Sequence, residues 1–335
     1  MQPVTRFIPT GARNIFIAAR NRLTLDDKID GGVMSPIGFL EEKLKKEHTI
    51  LLDGATGTEL EHRGVPMNGA AWSAEAVYSN PDVVQDIHED YIRAGVDVIT
   101  VNSFSMGRNM LISAGLADDF RQLNRSAVEL AIRARDRAAV SSVAIAGSIA
   151  PTTFCCEETR CYPPLTKALS WYTEQAEVLV ESGVDILIVE MIEDLEQGSL
   201  AVQAACSTGL PVWLGFSCCR GDSGEIMLWE QGHTLAEGIR VVSNFGGSAA
   251  FIMHTEVVDA ADAFNILKTC GPETLGVYAH SGTFVMPNWK FSDIISPEEY
   301  AQAAGVWIKM GAKIIGGCCG IGPAHIRELK RRYCR

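Results

Sequence analysis

The stretch Thr49-Ile50-Leu51-Leu52-Asp53-Gly54 is an apolar run that stops at an acid and a glycine, a pattern typical of a short buried strand followed by a turn. Seven later runs repeat the pattern, over residues 96–104, 143–151, 184–192, 212–219, 249–255, 275–282 and 312–320. The segments between these runs carry apolar residues at the 3.6-residue spacing of helices. The sequence therefore predicts eight strands that alternate with helices.

Eight nearly continuous apolar strands predict a parallel sheet that helices cover, and eight is the number that closes a (β/α)8 TIM barrel. An open, doubly wound sheet is the alternative, but the glycine-rich phosphate loop of a Rossmann unit is missing after the first strand. Gly54-Ala55-Thr56-Gly57 is only a glycine-rich turn between the acidic residues Asp53 and Glu59. We predict one α/β barrel domain over residues 38–335, preceded by an N-terminal arm of residues 1–37.

Composition narrows the class of function. The chain has 335 residues, of which 47% are hydrophobic, so a large core is expected rather than disorder. A formal net charge of -12 argues against nucleic acid or an anionic membrane as a partner, because phosphates would be repelled. No apolar run reaches the roughly 18 residues that a membrane span needs. A small neutral or zwitterionic substrate fits this charge better, and the sequence leaves a homo-oligomer open.

Cysteine usage bears on the compartment. Ten cysteines in a chain of ordinary enzyme composition favour a reducing environment with free thiols, so we expect a cytoplasmic protein. The first 25 residues contain four arginines and no acid, which is typical of a transit peptide. An organellar location is therefore the alternative.

Chemistry in TIM barrels gathers at the carboxyl ends of the strands. The predicted strand ends carry acids, histidines and thiols in a number that packing does not require: Asp53, Asn102, Ser103, Phe104, Ser148, Glu190, Cys218, Cys219, His254, His280, Cys318 and Cys319. From this position we predict that Asn102, Ser148 and His280 contact substrate.

The motif Gly316-Gly317-Cys318-Cys319-Gly320 follows the last strand. Adjacent cysteines on a regular strand point to opposite faces, so both serve one site only if the backbone turns, which the glycines permit. We interpret the pair as two thiolates that bind one metal ion. A vicinal disulfide and two buried apolar cysteines are the alternatives.

A metal site needs a third ligand, and His254 at the end of the sixth strand is the candidate. Two cysteines and a histidine with an open fourth position form a catalytic zinc arrangement. Cys218 or Cys219 is the alternative ligand, because their strand ends at the same face. Zinc in such a site lowers the pKa of a bound thiol and presents it as a thiolate.

Four further side chains suit an amino-acid thiol and a cationic methyl donor. Asp53 and Glu190 are predicted to receive the ammonium group, although solvated acids at strand ends are the alternative. Trp72 and Phe104 are predicted to flank an onium group by cation–π contact, with packing at the rim as the alternative.

These residues resemble the zinc-dependent homocysteine S-methyltransferases from about Ile50 to Arg327. The motifs that carry the resemblance are Leu52-Asp53-Gly54-Ala55-Thr56-Gly57-Thr58-Glu59-Leu60, Trp72-Ser73-Ala74-Glu75, Ile99-Thr100-Val101-Asn102-Ser103-Phe104, Gly147-Ser148-Ile149-Ala150-Pro151, Gly316-Gly317-Cys318-Cys319-Gly320 and Pro323-Ala324-His325-Ile326-Arg327. The resemblance implies that Cys318 and Cys319 bind Zn2+. It also implies that Asp53 and Glu190 hold the amino-acid end of homocysteine, in the catalytic site.

The activity implied by the resemblance is methyl transfer to the thiolate of homocysteine, which gives methionine. Trp72 and Phe104 fall where the family places donor-pocket residues. Because the chain has no room for separate folate or cobalamin domains, the expected donor is a free onium compound. The candidates are S-methylmethionine, dimethylsulfoniopropionate, betaine and S-adenosylmethionine.

The chain departs from the family pattern at several positions. His254 replaces the first zinc-binding cysteine, Met191 follows Glu190 where threonine or tyrosine is frequent, and His280 replaces an asparagine. The segment after Pro151 lacks the usual glycine-rich acidic pattern. Three alternatives therefore stay open: methylation of another thiol, an unusual sulfonium donor, and a barrel that binds a ligand or metal without catalysis.

Overall fold

The computed structural model describes residues 35–66, 71, 73–151, 154–156, 159–160, 162–229, 232–285 and 290–334. The strands are β1 Ile50–Leu51, β2 Val98–Thr100, β3 Ala144–Ile149, β4 Phe154–Cys156, β5 Thr159–Arg160, β6 Ile186–Ile192, β7 Val212–Arg220, β8 Ile226–Leu228, β9 Ala249–Glu256, β10 Thr274–His280, β11 Thr283–Val285, β12 Lys290–Ser292 and β13 Ile314–Ile315. The helices are α1 Pro36–Lys45, α2 Thr56–His62, α3 Ala76–Ser79, α4 Pro81–Ala94, α5 Arg108–Ser113, α6 Phe120–Ala138, α7 Leu165–Ser182, α8 Leu195–Cys206, α9 Leu235–Val242, α10 Val257–Cys270, α11 Pro297–Met310 and α12 Pro323–Tyr333.

Eight parallel strands form the barrel, in the spatial order β1-β13-β10-β9-β7-β6-β3-β2. A parallel bridge between Leu52 and Val98 joins the two ends of this order. Each barrel strand coincides, to within one residue at either end, with part or all of one of the eight predicted apolar runs. The predicted TIM barrel is therefore confirmed and the open-sheet alternative is wrong. The predicted runs extend past several strands, because the residues beyond the strand ends form the loops at the mouth.

The apolar runs are nearly continuous because the barrel strands are buried on both faces. On β6, Ile186 and Ile188 pack inside the barrel, whereas Leu187 and Val189 pack against the helices. This alternation follows from the two-residue period of a strand.

Local signals set the helix ends. The side chains of Thr234 and Glu237 form a reciprocal capping box at the start of α9. Gly95, Gly183 and Gly311 end α4, α7 and α11 in the left-handed conformation that glycine favours. None of the helices in the described ranges is both long and apolar enough to cross a membrane.

Helix α1 lies at the amino-terminal end of the barrel. Its Leu40 side chain is buried with the residues inside the barrel, and Lys43 Nζ lies 2.6 Å from Asp97 Oδ1. Because Asp97 directly precedes β2 and also accepts a hydrogen bond from the Leu51 amide, α1 is held at the end of the barrel opposite the strand carboxyl ends. Residues 1–34 of the predicted arm lie outside the described residues, so its division from the barrel at residue 38 stays a prediction.

Candidate metal centre and active site

A cavity of about 390 Å³ opens at the carboxyl ends of the strands. This size lies within the range of small-molecule sites. The predicted site residues that line it are Asp53, Asn102, Phe104, Glu190, His254, His280, Cys318 and Cys319. The barrel thus brings residues from six of the eight predicted runs together in one cavity.

His254, Cys318 and Cys319 form the one group of acid, histidine and cysteine side chains with metal-binding geometry in the described part of the chain. The Nδ1 atom of His254 lies 3.5 Å from Cys318 Sγ and 3.7 Å from Cys319 Sγ, and the two sulfurs are 3.9 Å apart. Zinc bonds of about 2.3 Å to sulfur and about 2.0 Å to nitrogen give tetrahedral edges of roughly 3.8 Å and roughly 3.5 Å. The three donor atoms thus fit one tetrahedral ion.

The backbone turns at the cysteine pair, as predicted. The Cys318 amide donates to the Ala279 carbonyl and the Cys319 carbonyl accepts from the Ser281 amide, both at 3.0 Å, which ties the loop to the end of β10. Gly320 then adopts a φ of +79°, which a side chain disfavours. A sulfur–sulfur distance of 3.9 Å exceeds the bond length of about 2.05 Å, so the vicinal-disulfide alternative is wrong.

A β-bulge presents His254 to this pair. Tyr278 pairs with Met253 but His280 pairs with Glu256, so β9 contains one residue more than β10 over this interval. His254 lies within the extra length with a φ of +41°, an uncommon conformation for a residue with a side chain. The bulge breaks the alternation of the strand, and the imidazole is directed towards both thiols.

The cysteine pair needs a cation to become a pair of thiolates. The hydrogen bond with Cys319 and burial raise the pKa of the Cys318 thiol well above its usual value, although His254 opposes the shift. A divalent ion removes this penalty by charge neutralisation. The donor types, two thiols and one imidazole, are those that zinc prefers.

Cys218 and Cys219 do not join the cluster. The thiol of Cys218 is buried and lies 3.2 Å from the Thr255 hydroxyl. The thiol of Cys219 lies 4.0 Å from the Trp229 carbonyl oxygen. The alternative in which either of these cysteines replaces His254 in the ligand group is therefore not supported by the geometry.

Asp53 lies at the end of β1, where Thr100 on β2 fixes its carboxyl group. The Thr100 amide donates to Oδ2 at 2.6 Å and the Thr100 hydroxyl donates to Oδ1 at 2.8 Å. Burial raises the pKa of Asp53 to about 7, against the effect of these hydrogen bonds, and the nearby Glu190 adds to the rise. A cation bound beside Asp53 would stabilise the ionised form of the carboxyl group and offset the cost of its burial.

Glu190 lies at the end of β6, and two hydroxyls hold it. Ser148 donates to Oε2, and Tyr278 donates to Oε1 at 3.1 Å. Burial raises the pKa of Glu190, and both hydrogen bonds oppose the shift. Ser148 does not line the cavity but contacts the site through this hydrogen bond to Glu190.

A second β-bulge lies next to Glu190. Strand β6 is one residue longer than β7 between Val189 and Ile192, and Met191 within this interval has a φ of +56°.

His280 is buried beside the predicted metal ligand. The His254 and His280 ring centroids are 4.6 Å apart, and His280 Nε2 lies 3.0 Å from Glu256 Oε1. Burial and, to a smaller extent, the nearby His254 lower the pKa of His280 to about 4, while Glu256 opposes the shift. The indole of Trp229 packs on both histidines, with centroid distances of 5.5 Å to His254 and 6.1 Å to His280.

The remaining predicted residues differ in how directly they reach the cavity. Asn102 donates from its amide to the Ser73 carbonyl at 2.9 Å, so part of its hydrogen-bonding capacity holds a neighbouring loop. Phe104 is half-buried and lines the cavity. Trp72 lies outside the described residues.

Sequence reasoning missed four side chains at the site. Thr100 and Tyr278 hold the two acids, and Trp229 and Glu256 contact the two histidines. Each of these four side chains contacts a residue from another part of the barrel, and no local sequence pattern indicates that contact.

Residues 50–333 match the sequence profile of the family described as homocysteine S-methyltransferase. Homocysteine S-methyltransferase 1 of Arabidopsis thaliana is 26% identical over 325 residues, which cover 88% of this chain and 98% of that protein. Betaine–homocysteine S-methyltransferase 1 of Danio rerio is 26% identical over 324 residues, which cover 88% of this chain and 76% of that protein.

A solved structure gives a likeness of fold. The metallated form of the homocysteine methyltransferase MmuM from Escherichia coli has a TM-score of 0.71 and 24% identity. The superposition covers 88% of this chain and 99% of the bacterial enzyme, so nearly the whole barrel is shared.

Proposed function

Because the chain belongs to the homocysteine S-methyltransferase family, we propose that it transfers a methyl group from a small onium donor to the thiolate of homocysteine, which gives methionine. The observation that carries this proposal is the cluster of His254, Cys318 and Cys319 in the same cavity as Asp53 and Glu190. One part of the cavity is suited to activate a thiol, and the other is suited to bind the ammonium group of an amino acid.

We propose that the resident ion is Zn2+, held by His254, Cys318 and Cys319. When bound, zinc supplies a Lewis acid that lowers the pKa of a substrate thiol. Two thiolates and a neutral imidazole give the ligand set and the ion a formal charge of zero, whereas three thiolates give -1. The less negative site holds a thiolate more strongly and makes it a poorer nucleophile, which favours a reactive sulfonium donor.

Asp53 and Glu190 are proposed to bind the ammonium group of homocysteine. Their carboxyl groups are fixed by Thr100 and by the hydroxyls of Ser148 and Tyr278, so little side-chain freedom is lost when substrate binds. An ammonium ion between them favours the ionised form of both acids and offsets the cost of their burial.

The charge of the cavity supports a cationic donor. Its described lining includes the acids Asp53, Glu190 and Glu256, and neither lysine nor arginine is found there. A donor with a net positive charge is attracted to this lining, whereas a zwitterion with no net charge, such as betaine, gains no net attraction from it. S-Methylmethionine and S-adenosylmethionine are therefore favoured over betaine and dimethylsulfoniopropionate.

The transfer itself is a substitution at the methyl carbon. A lone pair on the thiolate sulfur forms the new carbon–sulfur bond while the bond between the methyl carbon and the donor sulfonium breaks. The electron pair of that bond stays on the donor sulfur, which leaves as a neutral sulfide. The proton of the incoming thiol is released before this step, and neither oxidant nor reductant is required.

The proposal is tested by assaying zinc-loaded protein with homocysteine and each of the four donors, with methionine measured as the product. We expect turnover that depends on homocysteine and zinc, with a higher kcat/KM for the net-cationic donors. An absence of methionine with every donor, in protein that holds one zinc per chain, would refute the proposed reaction.

A further inference from the structure

Trp229 is an aromatic wall of the cavity that the predicted donor pocket does not include. Its indole is half-buried, lines the cavity and packs on His254 and His280. The other tryptophans in the described ranges lie elsewhere: Trp171 is on α7, and Trp213 and Trp307 are buried in the core. Trp229 is therefore the described tryptophan that lies beside the predicted metal ligand.

The backbone around Trp229 is fixed by the barrel. Strand β8 pairs antiparallel with the outer end of β7, with Cys218 opposite Leu228. The Trp229 amide directly after β8 donates to the Ser217 carbonyl at 3.1 Å. The indole is thus held at the mouth by the same strand that neighbours β9 and His254.

We propose that Trp229 determines donor specificity by binding the onium group of the methyl donor through a cation–π contact, an inference that rests on the proposed function. The indole face is the most favourable of the aromatic faces for a cation, and quaternary ammonium and sulfonium groups cannot be bound by ordinary hydrogen bonds. The acidic lining adds long-range attraction for the same charge. Trp229 supplies the short-range contact and discriminates an onium group from a neutral group of equal shape.

The role predicts a specific kinetic signature. During transfer the positive charge on the donor is neutralised as the methyl carbon moves to the thiolate. A contact that depends on this charge stabilises the bound donor at least as well as the transition state, so it contributes to binding rather than to the chemical step. Loss of the indole should therefore raise the donor KM and leave kcat nearly unchanged.

The kinetic test compares Trp229→Leu and Trp229→Phe with the wild-type protein. Trp229→Leu should raise the donor KM by about 2- to 30-fold, and Trp229→Phe should give a smaller rise because a weaker aromatic face remains. The value of kcat and the zinc content should stay within about twofold of wild type. Trp171→Leu is the matched control, since Trp171 contacts Lys167 on α7 outside the cavity and its loss should leave the donor KM unchanged. An unchanged donor KM in Trp229→Leu would overturn the proposal, and loss of zinc would show that Trp229 supports His254 instead.

A binding test separates this inference from the proposed reaction, because it needs no turnover. The probes are choline and its neutral isostere 3,3-dimethylbutan-1-ol, titrated into zinc-loaded protein by ligand-observed NMR. Wild type should bind choline more tightly, and Trp229→Leu should reduce this preference by about 2- to 30-fold. An equal loss of affinity for both probes would mean that Trp229 is only an apolar wall. A protein that shows the expected preference but makes no methionine would refute the reaction and not the onium site.

Discussion

The Nδ1 atom of His254 lies 3.5 Å from the Sγ atom of Cys318, although 64 positions separate the two residues in the chain. The two side chains come from β9 and from the loop after β13, and β10 lies between these strands in the barrel. An ion bound by both would therefore link two segments that do not share backbone hydrogen bonds as neighbouring strands. We expect metal binding to stabilise this side of the mouth as well as to serve chemistry.

Replacement of His254 tests the ligand set directly. His254→Cys should retain about one zinc per chain, because a thiolate provides an equivalent donor, whereas His254→Ala should bind zinc much more weakly. Metal content measured on reduced protein, followed by competition with a chromogenic chelator, gives the comparison. His62→Ala is a suitable control for loss of an imidazole, because His62 is exposed at the end of α2 and lies outside the cluster. Full zinc occupancy in His254→Ala would remove His254 from the ligand set.

The raised pKa of Asp53 predicts that amino-acid binding depends on pH. Asp53 titrates at about 7 in the free protein, so the carboxyl group is mainly protonated below that pH and must lose its proton before it pairs with an ammonium group. Affinity for methionine, which has no thiol to ionise, should fall by up to about tenfold for each pH unit below 7 and level off above it. Calorimetric titration between pH 6 and pH 8 measures this slope.

Asp53→Asn is the matched variant for that slope. An amide cannot ionise, so the variant should bind methionine weakly and with a shallower pH dependence. A wild-type affinity that is flat from pH 6 to pH 8 would show that Asp53 is not the group that receives the ammonium ion.

The burial of His88 on α4 predicts that the stability of the fold depends on pH, independently of the candidate active site. The imidazole is fully buried, and neither ring nitrogen has a hydrogen-bond partner among the described residues. Burial lowers the pKa of His88 from 6.5 to about 4, so the unfolded chain takes up a proton before the folded chain does. The free energy of unfolding should be unaffected above pH 6.5 and should fall by roughly 3 kcal/mol as the pH falls to 4.

Urea unfolding of His88→Leu at pH 7 and pH 5 measures the contribution of His88. The variant should lose part of the acid sensitivity without a large loss of stability at pH 7, because an unpaired polar ring is replaced by an apolar side chain. His48→Leu, which removes an exposed histidine, should leave the acid sensitivity as it is. Equal pH slopes in wild type and His88→Leu would contradict the assignment.

Much of the barrel is predictable because the signal is local and repeated. Residues 186–189 are apolar on both faces of the strand, and Gly183 is a residue type that commonly ends a helix in the left-handed conformation. The cysteine pair is likewise recognisable, since two adjacent thiols between glycines have few structural uses. The cytoplasmic location and a homo-oligomer stay predictions.

The details that complete the site are not local. The bulges at Met191 and His254 arise because one strand is a residue longer than its neighbour, and a single run of sequence does not show the register between strands. The contacts of Tyr278 with Glu190 and of Trp229 with His254 join residues that are distant in sequence. Such pairings depend on tertiary packing, so the sequence indicated the candidate metal ligands and the two acids but not the residues that hold them.

The turn at Gly320 supports the cysteine pair, and an alanine there should disrupt the metal site. A Cβ atom at Gly320 would lie 2.1 Å from the Ser281 carbonyl oxygen, whose residue also donates its amide to Cys319. Gly320→Ala must therefore either separate the two loops or abandon the positive φ of +79°, and both responses move the Cys319 backbone. We expect Gly320→Ala to unfold at a lower urea concentration and to bind zinc at least tenfold more weakly, which is roughly 1.4 kcal/mol.

Gly311→Ala is the control for the backbone strain that an alanine adds at a positive φ. Gly311 has a φ of +114° at the end of α11, but a Cβ atom added there meets no other atom within 4 Å. Gly311→Ala should lose about 1 kcal/mol of stability from the left-handed backbone alone and keep its zinc affinity. Both variants place alanine at a positive φ, so a difference in zinc binding between them reports the effect of the alanine beside Cys319 rather than a general loss of stability. Equal zinc affinities in the two variants would show that the cysteine loop adapts without its glycine.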